Sequence, residues 1–155
     1  MNPKKPHEFR IETRPRARRV AIALAFWSLG HPALADVPAS LCERIGGEAF
    51  LAQVADELVE ASRTDPVSGR HFEKVNLKRL KQQIGIQLCA VAGGPCVYDG
   101  DDMKAVHAGL GITQADFYRL VEHLRQILDA HGVATREKNE LLARLAPMKR
   151  DVVTK

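Results

Sequence analysis

The 155-residue chain carries 23 Lys and Arg against 19 Asp and Glu, a formal charge of +4. That excess is local: residues 1–35 hold seven basic and two acidic side chains, and the remainder is slightly acidic. The remainder therefore lacks the clustered basic face of a nucleic-acid binder and the polybasic patch of a membrane-surface protein.

The first element is a leader. Arg16, Arg18 and Arg19 precede an apolar run over 20–29, and Ala33-Leu34-Ala35 supplies small residues where a signal peptidase reads them. The run is too short to span a bilayer comfortably, so export and cleavage after Ala35 are expected, with no stable anchor afterwards. The exported domain is then 36–155, periplasmic and of a size to bury one modest core.

A short helix is expected around Ser40 to Arg44, ahead of the Gly46-Gly47 break. A long helix over roughly 48–63 puts Leu51, Val54, Ala55, Leu58 and Val59 on one side. Another over about 76–92 carries Leu77, Leu80, Ile84, Leu88 and Val91 at steps of three and four, one narrow stripe. Gly93-Gly94-Pro95 stops it. The stretch 97–112 is longer and shows no helical period, the kind of connection that is functional or disordered. Thr113 and Asp116 open the next helix with a capping-box pattern. It carries Phe117, Leu120, Val121, Leu124, Ile127 and Leu128, and ends at His131-Gly132. A last helix over about 135–149 holds Leu141, Leu142, Leu145 and Met148. No segment alternates with a period of two, so the domain is all-α.

Several chemical candidates lie on this frame. Asp99-Gly100-Asp101-Asp102 does not continue into a calcium loop, because Met103 and Lys104 stand where an oxygen ligand and the turn glycine belong. It reads as a solvated turn with an acidic cap beside a short helix. Cys89 and Cys96 flank the Gly-Gly-Pro corner; in an oxidising compartment a disulfide there contributes about 2.5 kcal/mol and leaves Cys42 unpaired. The other reading is two buried thiols. His123 falls at the polar edge of its helix, His131 suits a helix C-terminus, and His71, in the corner between the first two long helices, reads as structural or solvent-exposed. His107 is different. It stands on a small-residue and apolar segment with no second ligand at a zinc spacing. A neutral imidazole there ligates a metal from one side and leaves the other side open.

Leu41-Cys42-Glu43-Arg44-Ile45-Gly46-Gly47, Phe72, Gly93-Gly94-Pro95-Cys96-Val97-Tyr98, the segment from Met103 through His107 to Thr113, and Leu145-Ala146-Pro147-Met148 follow in that order. Together they resemble the group I truncated haemoglobins, over nearly all of 36–155. The resemblance implies a two-over-two helical sandwich, the truncated globin fold, with haem b (iron protoporphyrin IX) as cofactor. It implies reversible binding of a diatomic gas, O2, NO or CO. It makes His107 the proximal iron ligand and Phe72 a residue packed on the haem. Tyr98 and Lys104 match positions at the haem edge, near a propionate. Val59, Leu80, Ile84 and Leu88 shape the pocket.

One departure bears on chemistry. Many members carry a tyrosine at the position of Val59 and a glutamine at that of Ile84, both donors to bound dioxygen. This chain has no donor at either position, and Gln83, Gln87 and His71 are the nearby polar candidates. In a dry pocket the Fe–O2 unit then lacks a hydrogen bond of about 1–3 kcal/mol. Weak oxygen binding and ready oxidation are expected, and nitric oxide dioxygenation is put in doubt. Two rival functions stand beside gas binding. One is a haem redox enzyme acting on NO, peroxide or nitrite, which needs a distal proton donor and a redox partner. The other is a haem-free globin-fold interaction module.

Overall fold

The computed structural model describes residues 38–155. The leader, the cleavage point after Ala35, and His7 and His31 lie outside the described residues. Among the described residues there are seven α-helices and no strand. Helix α1 is Leu41–Ile45, α2 Gly47–Thr64, α3 Leu77–Val91, α4 Met103–His107, α5 Gln114–Ala130, α6 Thr135–Leu145 and α7 Lys149–Val152.

Local chemistry sets most of these boundaries. Ser40 and Glu43 form a reciprocal capping box at α1, and Thr113 with Asp116 forms another at α5. Each box satisfies amide donors that the first helical turn leaves unpaired. Asn76 and Asp102 cap α3 and α4 through their side chains. One expectation needs correction. The single helix over 135–149 tightens into a 3-10 turn, Ala146–Met148, before α7 resumes. Pro147 lacks an N–H, and its ring crowds the carbonyl four residues back, so the α-helical ladder is interrupted there. The stretch 97–112, which shows no helical period in sequence, contains the short helix expected beside the acidic cap: α4, which ends on His107.

Helix α2 packs on α3 and on α5, while α1 bridges α2 and α6. These contacts put one helix pair over the other. Leu51, Val54 and Leu58 of α2, Leu88 of α3, Leu124 and Leu128 of α5, and Leu141 of α6 interlock, each 4% exposed or less. Val59 is equally buried yet stands apart from this cluster.

Helices α2 and α3 approach closely at Gly85, where a Cβ would meet the Ala52 Cα at 3.2 Å. That contact is with backbone, which yields little. Overpacking costs about 1–3 kcal/mol. Removing a helical glycine recovers less than about 1 kcal/mol. Gly85→Val should therefore lower stability by about 1–2 kcal/mol, read as a lower urea midpoint with an unchanged slope.

Helix α4 is built differently from the rest. It has no buried residue, and it rests mainly on α7. Val106 and, just beyond the helix, Leu110 are 41% and 49% exposed. The helix that carries His107 thus presents apolar surface that the protein does not itself cover.

Candidate functional site

His107 closes α4, and its Nδ1 lies 2.7 Å from the Met103 carbonyl oxygen one turn back. A carbonyl only accepts, so Nδ1 carries the proton and the Nε2 lone pair is left for a metal. Such a bond also fixes the ring's orientation and raises its basicity as a ligand. Among the described residues no group of three or more His, Cys, Asp or Glu converges as a metal cage. The donor set is one imidazole. It suits a metal that brings its own equatorial ligands in a flat apolar macrocycle.

The apolar residues named from the sequence differ in burial. Val59 and Leu88 are buried, while Phe72, Leu80 and Ile84 are half-buried. Lys104 is exposed and forms no ion pair among the described residues. Tyr98 is held by its own loop, donating its hydroxyl to the Asp101 carbonyl at 3.0 Å. Burial pushes the Tyr98 phenol above its ordinary value, and Asp101, Asp99 and Asp102 add to the rise. The phenol stays protonated and is a donor.

The three polar candidates for the ligand side each lie against other groups of the chain. Gln87 points its amide toward sulphur, 3.2 Å from Met103 Sδ and 3.6 Å from Met148 Sδ. Gln83 lies beside the Tyr98 loop: a Cβ on Gly100 would sit 2.5 Å from both Gln83 Oε1 and Tyr98 Oη. Its Oε1 is buried without a partner. His71 faces Asp116, with Nε2 3.3 Å from Oδ2.

That last contact belongs to a clamp that sequence reasoning missed. Between α2 and α3 the chain passes through a 3-10 turn, Gly69–His71, and Phe72 closes it. Arg70 from the turn donates to both Asp116 oxygens at 2.8 and 2.7 Å, and Thr113 donates through its hydroxyl and its amide. Asp65 returns the arrangement. It accepts the amides of Val67 and Ser68, and on its other side meets Arg119 at 3.1 Å and His123 at 3.3 Å, both from α5. The turn and α5 thus exchange carboxylates, and the position of Phe72 follows from that exchange. The Thr113–Asp116 cap was visible as a local pattern. Partners 46 residues apart leave no such signal.

Burial alone would raise the Asp116 carboxyl, but the Thr113, His71 and Arg70 contacts outweigh it and bring it down to about 2, against an ordinary 3.8. Asp65 moves the same way: burial raises it, and the Ser68 and Val67 amides with Arg119 and His123 lower it further than that. A carboxyl lowered in the folded state stabilises the fold above its ordinary value, and that contribution fades as pH falls through the folded value. The urea midpoint should therefore drop between about pH 4 and pH 2, and Asp116→Asn should flatten that part of the profile.

Cys89 and Cys96 are joined as a disulfide with Cα atoms 5.7 Å apart, and Cys42 is free and buried. The bond ties the end of α3 to the arm that leads into α4. His131 does more than sit at a helix end, since its Nε2 lies 2.9 Å from Glu57 and its ring meets Phe50 edge-on.

Comparison with known proteins places this arrangement. A family model described as bacterial-like globin matches residues 40–154. The group 1 truncated haemoglobin GlbN of Mycolicibacterium paratuberculosis is 35% identical over 117 residues, spanning 76% of this chain and 86% of that protein. The truncated haemoglobin of Tetrahymena pyriformis superimposes with a TM-score of 0.72 at 22% identity, over 76% of this chain and 100% of that one. Chlamydomonas reinhardtii THB1 superimposes with a TM-score of 0.64 at 30% identity, over 77% and 100%. The chain belongs to the bacterial-like globin family and, within it, to the group 1 truncated haemoglobins with their two-over-two fold.

Proposed function

We propose that this truncated haemoglobin holds the iron of haem b through His107 Nε2 and binds a diatomic gas on a face that offers it no hydrogen-bond donor. The Nδ1 contact to the Met103 carbonyl carries the first half of the reading, because it leaves the second ring nitrogen as a bare lone pair. Haem would supply the gas-binding iron, and the protein would hold it through the His107 imidazole and an apolar wall. Val59, Phe72, Leu80, Ile84 and Leu88 form that wall, with Tyr98 and Lys104 at the edge for the propionates.

The second half rests on where the polar side chains point. Gln87 faces the sulphurs of Met103 and Met148, Gln83 faces the Tyr98 loop, and His71 faces Asp116. Redox turnover on peroxide or nitrite requires a distal proton donor; Gln87 and His71 face other side chains, and Gln83 Oε1, buried without a partner, is an acceptor. Reversible gas binding is the function that these side chains support best. Export to the periplasm, with cleavage after Ala35, completes the proposal; amino-terminal sequencing of the protein recovered from a periplasmic extract tests it.

Titrating the haem-free protein with haemin tests the main reading. One equivalent should produce a sharp Soret band with an end point at 1:1. A band that grows without an end point, as haemin on an apolar surface gives, would refute it.

A further inference from the structure

The three cysteines do not sit independently. A Cβ placed on Gly94 would lie 2.6 Å from Cys42 Sγ and 2.8 Å from Cys89 Sγ. Both sulphurs therefore border the same point, and only the absence of a side chain at Gly94 lets them approach. The backbone holds them there: the Cys42 amide donates to the Ala92 carbonyl and the Gly94 amide to the Cys89 carbonyl, each at 2.9 Å. Cys42 and Cys89 are 1% and 0% exposed, whereas Cys96 is half-buried. A buried free thiol and the buried sulphur of a disulfide thus border the same point, and the disulfide's other cysteine is only half-buried.

We propose that these cysteines form an exchange relay in which Cys42 displaces Cys96 from Cys89, moving the anchor of α3 from the arm at 95–102 to α1. The Cys42 thiolate attacks Cys89 Sγ, the Cys42–Cys89 bond forms, and the Cys89–Cys96 bond breaks. Cys96 leaves as a thiolate and takes up the proton that Cys42 gave up. One disulfide and one thiol are present before and after, so no oxidant or reductant is consumed. The direction follows from exposure, because water stabilises the departing Cys96 thiolate and does not reach Cys89. Burial pushes the Cys42 thiol up, with Glu43 and Glu48 adding to it, which holds the exchange back near neutrality.

The consequence reaches the candidate site. The Cys89–Cys96 bond is the side-chain cross-link between α3, which carries Leu80 and Ile84, and the arm that holds Tyr98 and leads to α4. After exchange that arm keeps its peptide connection to α3 and loses the cross-link. The relay stands independently of the haem reading, since it needs only the sulphurs and Gly94.

Iodoacetamide labelling of the native, unreduced protein at mildly alkaline pH, followed by acid quenching and non-reducing peptide mapping, tests it. The label should accumulate on Cys96, in molecules that carry a Cys42–Cys89 disulfide, and Cys42→Ala should abolish labelling of Cys96. Label on Cys42 with the Cys89–Cys96 bond intact, or no label at all, overturns the proposal. A second variant guards against slow labelling. Cys96→Ser should form the Cys42–Cys89 disulfide on air oxidation, and recovery of two free thiols would contradict the relay.

Discussion

His107→Ala should lower haem affinity by about 100-fold or more and shift the Soret band away from its five-coordinate position. Losing only the partner that orients a ligating histidine typically costs about 10- to 100-fold in affinity, so losing the ligand itself costs at least the upper end of that range. Residual binding persists, because burying a large apolar macrocycle is favourable without any iron–nitrogen bond. The fold is not at stake. Helix α4 has no buried residue and lies outside the main apolar core, so the variant should keep its helicity and its urea midpoint. Transfer of haem to an excess of an acceptor globin measures the loss. Added imidazole should enter the vacated space and return the band, which separates a missing ligand from a damaged pocket. An unchanged transfer rate would assign the iron to another residue.

Ile84→Gln should slow oxygen dissociation from the ferrous protein by about 10- to 150-fold. Ile84 lies half-buried on α3, at the position that the family resemblance matches to a glutamine donor. A carboxamide there would donate to the polar Fe–O2 unit, and a hydrogen bond to a charged group is worth about 1.5–3 kcal/mol. Each 1.4 kcal/mol is about tenfold in an equilibrium or rate constant. Carbon monoxide binds with little charge on its outer atom, so its dissociation should change far less. The contrast between the two gases is the readout, because loosened packing at Ile84 would move both together. Stopped-flow replacement of each gas supplies the two rates. Equal changes would mean that residue 84 does not face the ligand.

The parts of this fold that depend on neighbours in sequence were legible from it. The capping box of Thr113 and Asp116, the stripe through Leu80, Ile84 and Leu88, and the Gly-Gly-Pro stop after α3 are all decided within one or two helical turns. Helix α4 was marked only by its acidic cap at Asp102, because five residues are too few to show a period. The break at Pro147 was legible in principle, since the missing N–H is a property of that residue alone. The carboxylate exchange around Phe72 was not. Asp116 and Arg70 meet only because α5 folds back against the turn, and from sequence Asp116 reads only as a helix cap. The orientations of Gln83 and Gln87 were beyond sequence for the same reason. Helical phase puts both beside the stripe, and only packing decides which way each amide turns. His107 had a weak signal of its own, and its meaning came from the glycine corners and Phe72 around it.

The most direct test of a haem iron held by His107 with no donor above it is the oxygen dissociation rate of the ferrous protein. It should be measured alongside the single variants Gln83→Ala, Gln87→Ala and His71→Ala. The account predicts fast dissociation that none of the three variants accelerates by more than about twofold, since none of these side chains faces the gas. Slow dissociation in the unmodified protein, released about tenfold or more by any one of the three, would show that this residue holds the ligand and would contradict the donor-free face.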